Sequence, residues 1–67
     1  MFKVQYDPEQ DFDNATITAP NVPNVKTALA FIASLKQDMG MAANECNNMF
    51  LVTRLSDGKT CHPQGKA

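Results

Sequence analysis

The chain has little of what catalysis is usually built from. Its 67 residues include three glycines, two cysteines and one histidine. Gly40, Gly58 and Gly65 are dispersed, so no glycine-rich loop can wrap backbone amides around a phosphate. Cys46, Cys61 and His62 are the only soft metal ligands. A structural zinc site takes four ligands, commonly with a CxxC-type pair, and neither condition is met. Cys61 and His62 are adjacent. On a strand, adjacent side chains point to opposite faces, beyond the hydrogen-bond reach that activates a thiol. A thiol-dependent enzyme centred on these residues is therefore the weakest of three functional readings. The preferred expectation is a non-enzymatic protein with no metal and no cofactor.

Charge and hydropathy exclude more. The net charge of −1 provides no global field to recruit nucleic acid or anionic lipid. The longest apolar run is far too short to span a bilayer, and MFKVQYDPEQ has no signal-peptide core. A cytoplasmic location is the resulting expectation. Two cysteines are too few for a disulfide scaffold and read as small packing residues, with a Cys46–Cys61 bond as the alternative in an exported chain. Asn14-Ala15-Thr16 matches the glycosylation sequon, a chance match in a chain without a secretion signal. No spacing of glycines, aromatics or metal ligands resembles a known family.

What is present is a pattern. Residues 24–39, NVKTALAFIASLKQDM, place Phe31, Leu35, Ala28, Met39, Ile32, Val25 and Leu29 on one arc of about 160° at helical spacing. Lys36 intrudes on that arc, with its stem expected to pack and its ammonium to reach water. Asn24 suits an N-cap, and Gly40 suits the left-handed residue that ends a helix. Before the helix, Phe2, Val4 and Tyr6 alternate with Lys3 and Gln5, and Ala15, Ile17 and Ala19 alternate with Thr16 and Thr18; both segments read as half-buried strands. After it, residues 41–46 read either as a short helix or as an irregular return. NMFLVTRLSDGKTCH then reads as strand, turn, strand, with Asp57-Gly58 suited to a two-residue type I′ turn. Pro63 lacks the amide to continue pairing. The prediction is a single small α+β domain, ββαββ, over residues 1–62, one amphipathic helix on a mainly antiparallel sheet, with a mobile tail at 63–67. The expected core joins Phe2, Val4, Tyr6, Ile17, Val25, Leu29, Ile32 and Leu35 to the inward side chains of residues 50–55.

Charge is unevenly placed. Residues 1–23 carry a balance of −3, from Lys3 against Asp7, Glu9, Asp11 and Asp13, and residues 24–67 a balance of +2. Calcium loops also place acids at alternate positions, but the glycine at the sixth position and the distal glutamate of an EF-hand are missing. By elimination, the leading reading is a protein-binding module, an inhibitor or accessory factor of the kind that phages direct at host machinery. Its contact residues would be Asp7, Glu9, Asp11 and Asp13, where dense charge steers association, together with Met41, Met49 and Phe50, where methionine adapts to a partner. The same apolar group is the expected contact of a homodimer. The second reading is a nucleic-acid accessory protein using Arg54, Lys59 and Lys66, a footprint smaller than such proteins usually show.

Overall fold

The structure, a computed structural model, describes residues 1–63; Lys66 and the rest of the predicted tail beyond Pro63 lie outside the described residues. Four strands, β1 (Phe2–Tyr6), β2 (Ile17–Val22), β3 (Phe50–Arg54) and β4 (Thr60–Cys61), form one antiparallel sheet in the order β2-β1-β3-β4. One helix, α1 (Val25–Asp38), packs on it. This is the expected α+β architecture, ββαββ.

The alternation in β1 sets the layers. Val4 and Tyr6 lie opposite Val52 and Phe50 in register, and these four side chains meet Ala28 and Ile32 of the helix. Val4 and Phe50 are completely buried, and the Tyr6 and Phe50 rings are tilted against each other at 4.9 Å. The helix begins where Asn24 Oδ1 accepts the Thr27 amide at 2.8 Å, and the chain leaves it through Gly40 at φ +75°.

Several expectations need correction. Strand β2 starts at Ile17, not Ala15, and continues through Pro20. Its register with β1 shifts between the pairs Val4–Ala19 and Phe2–Val22, so β2 carries one extra residue there, next to Asn21 at φ +63°. That is a β-bulge. Of the two readings left open for residues 41–46, the irregular return is the one found: Glu45 N–H donates to the Ala42 carbonyl at 3.1 Å, and the Glu45 carboxylate accepts the Ala42 amide at 2.8 Å. The β3–β4 turn is not type I′, because of its residues only Gly58 has positive φ. Arg54 N–H donates to the Lys59 carbonyl and Gly58 N–H to the Arg54 carbonyl, both at 2.7 Å, so four residues, 55–58, form the loop. Asp57 serves it by accepting the Lys59 amide at 3.1 Å.

The helix buries less of its apolar arc than expected. Its buried residues are Ala28, Ile32 and Lys36, a single line at four-residue spacing. Val25 and Leu29, expected in the core, are 48% and 44% exposed. Lys36, expected to reach solvent, is 3% exposed. Both departures have one cause. The return from residue 41 to 49 covers the C-terminal half of this helix side, where Lys36 donates to Ala43 O and Asn47 Oδ1. Nothing described covers the N-terminal half.

Candidate functional site

A helix with its side chains is about 10–12 Å wide, whereas four strands span about 14 Å between their outer axes. One helix cannot roof such a sheet. Here α1 lies mainly over β1 and β2, and the β3–β4 half of the same face is left open as an apolar groove of about 630 Å³. It is lined by Phe2, Val52 and Cys61 of the sheet, by Val25 and Leu29 of the helix, and by the buried Pro63. Arg54 and Lys59 stand at its rim. Its volume lies within the usual range for ligand-binding clefts. The sequence signal for it was the width of the helix's apolar arc, which exceeded what one helix buries against a sheet.

The rim is basic but not strongly so. Arg54 Nε lies 3.2 Å from Asp57 Oδ1, and both side chains are about half exposed, a pair that solvent screens. Lys59 is exposed and has no carboxylate partner among the described residues. With Lys66 outside them, the three-cation nucleic-acid footprint is represented by this one free lysine and an arginine already engaged.

The acidic loop divides into a structural residue and surface residues. Asp7 is only 7% exposed. Its Oδ2 accepts the Asp11 amide at 2.9 Å and the Glu9 amide at 3.0 Å, and its Oδ1 accepts the Thr16 hydroxyl at 3.0 Å. The Asp11 amide is the main cause that holds the Asp7 carboxyl below its ordinary value, opposed by burial and assisted by Thr16 and Glu9. Asp7 therefore builds the loop and is corrected as a contact residue. Glu9, Asp11 and Asp13 are exposed. The loop folds back over the sheet face opposite the helix, where Gln5 Nε2 donates to the Phe12 carbonyl at 2.8 Å.

Phe50, expected at a partner or dimer contact, has no exposed surface and is corrected to a core residue. Met41 and Met49 are partly buried against the core. Both cysteines are free thiols, Cys46 half-buried and Cys61 exposed in the groove. Among the described residues no three histidine, cysteine or acidic side chains converge on a metal position, and no helix is long and apolar enough to cross a membrane.

Lys36 was missed as a site residue because its environment is tertiary. Its ammonium lies 5.5 Å from the Phe50 ring centroid, with Ala43 O at 2.9 Å and Asn47 Oδ1 as its other acceptor. It lines a second cavity of about 150 Å³. No protein-family model, curated protein or solved structure matches this chain.

Proposed function

We propose that the protein is a non-enzymatic binding module, an inhibitor or accessory factor, that holds an apolar segment of a partner protein in the groove beside α1. The observation that carries this reading is the groove itself, lined by Val25 and Leu29, which the described residues leave uncovered. Contiguous exposed apolar surface with a polar rim is characteristic of interaction sites. Arg54 and Lys59 at the rim complement acidic residues, so the segment expected there is apolar with acidic flanks.

Selection from a displayed random-peptide library tests this and does not require the partner to be identified first. The expected winners carry two or more large apolar anchors and a net negative charge. They lose binding to Leu29→Asp, a change at a position exposed enough to leave the fold intact. Their preference for acid declines on the double variant Arg54→Glu, Lys59→Glu. Winners that bind Leu29→Asp as tightly as the parent, or no enrichment at all, would overturn the reading. Enrichment of nucleic acid by the parent and not by the double variant would favour the accessory-protein alternative.

A further inference from the structure

We infer that the cavity beside Lys36 is a carboxylate subsite continuous with the groove, a deepening that rests on the groove being the binding surface. Lysine is almost never fully buried unless it is paired, yet Lys36 is 3% exposed and no carboxylate pairs with it among the described residues. Its acceptors are a backbone carbonyl and a side-chain amide, and its third neighbour is the Phe50 ring. All three are neutral. Among the described residues the positive charge is solvated by dipoles and met by no carboxylate. Away from bulk water, such a charge attracts an anion several times more strongly than a surface lysine does.

The donor set selects the anion. An ammonium has three N–H groups, and two are used. Asn47 Oδ1 is taken by Lys36, which fixes the orientation of the amide and leaves its NH2 as a donor on a residue that lines the same cavity. One ammonium N–H and one amide N–H match the two oxygens of a single carboxylate. A phosphate dianion would bring a second charge with no cation to meet it. The cavity of about 150 Å³ equals roughly five water volumes, enough for a carboxylate and the methylene that carries it. Leu29 and Pro63 line both this cavity and the groove, so a segment lying in the groove can turn an acid past them to Lys36.

The test uses groove-selected peptides made in matched pairs, each acid replaced in turn by its amide and the C-terminal carboxylate included, with affinity measured by fluorescence anisotropy. Against the parent, one replacement should weaken binding by about tenfold or more, the scale of a desolvated charge pair, and at low and high salt alike. Whether that acid is a side chain or the C-terminus identifies its source. Against Lys36→Met the same replacement should change affinity by less than about twofold. Equal losses in parent and variant, or a loss abolished by salt, would overturn the subsite and leave the groove standing. Retention of binding by Leu29→Asp would instead overturn the groove. A second measurement depends on neither peptides nor variants. Titrating the parent with butyrate should shift the Asn47 side-chain amide resonances saturably, and butyramide should not. Equal responses, or none, would overturn the subsite.

Discussion

His62 Nδ1 donates to the Phe50 carbonyl at 2.7 Å, across twelve residues of chain. The β3–β4 register pairs Val52 with Cys61, so the next hydrogen-bonded pair in line would be Phe50 with Pro63. Proline has no amide proton to give. The imidazole of the preceding residue supplies it, and the Phe50 amide turns to the Asn47 carbonyl. The end of β3 is thereby satisfied on both sides without a fourth-strand partner, as buried backbone requires. His62 must carry its proton on Nδ1 to do this when neutral.

Removing that donor has a measurable cost. His62→Phe keeps an aromatic ring beside Phe12, whose centroid is 6.2 Å from the imidazole, while deleting the hydrogen bond. We expect a loss of no more than about 1 kcal/mol in urea unfolding, because water can partly replace the donor. Amide exchange near residues 50–52 should quicken.

Asp7 couples the loop to pH. Its carboxyl is held below the ordinary 3.8 in the folded state, chiefly by the Asp11 amide. A folded value below the unfolded one means that protons prefer the unfolded chain. The stabilisation is then complete above pH 3.8 and is lost as pH falls through the lowered folded value. Asp7→Asn should melt at a lower temperature than the parent at neutral pH, and the difference should close under acid. Changing Glu9, Asp11 and Asp13 to amides should leave the neutral melting temperature nearly unchanged. Equal melting of Asp7→Asn and parent at neutral pH would contradict this account.

Ile32 and Leu29 are separated by less than a turn of helix but should respond oppositely to the same substitution. Ile32 is 3% exposed, and an aspartate there would be an unpaired buried carboxylate in a small core, so the cooperative transition should vanish. Leu29→Asp sits at an exposed wall and should cost less than about 1 kcal/mol. In circular dichroism melts, Leu29→Asp separates this partial burial of the apolar arc from the full burial expected from periodicity alone, with Ile32→Asp as the core control.

At Lys36 the stem and the head can be separated. Lys36→Met keeps the packing of the methylenes and forfeits the bonds to Ala43 and Asn47, with an expected cost of about 1–3 kcal/mol. Lys36→Ala also empties the space beneath Phe50 and should be worse by about 1–2 kcal/mol more. Denaturant titration of the pair measures both steps. Equal stabilities would mean that the stem packs against nothing that matters.

Local signals carried the framework well. Asn24 and Gly40 bracket the helix where capping chemistry says they should, and the alternation of Phe2, Val4 and Tyr6 sets the inward face of the central strand. What escaped was whatever depended on a distant part of the chain. Lys36 occupies the third place in the line Ala28, Ile32, Lys36, but only the return through Ala43 and Asn47 makes that place an interior one. Val25 and Leu29 share the apolar arc with residues of the core, and only the width of the sheet leaves them bare. Asp7 does carry a local cue: Asp-Pro opens a turn, with aspartate at the first position and proline at the second, and Gln10 N–H closes it on the Asp7 carbonyl at 3.1 Å. The groove has only an indirect cue, an apolar arc on α1 wider than one helix buries against a sheet, because it forms where the described elements leave the sheet uncovered.

The bulge at Pro20 and Asn21 has a consequence for how molecules of this protein meet each other. Strand β2 is one border of the sheet, and along that border one residue has no proton to donate and the next is turned into the left-handed region. The other border, β4, is only two residues long. A neighbouring chain arriving at either side finds no uninterrupted row of amides on which to align. Concentrated solutions should therefore resist conversion to cross-β fibrils, and crowding would press these molecules together through side chains, never by lengthening the sheet.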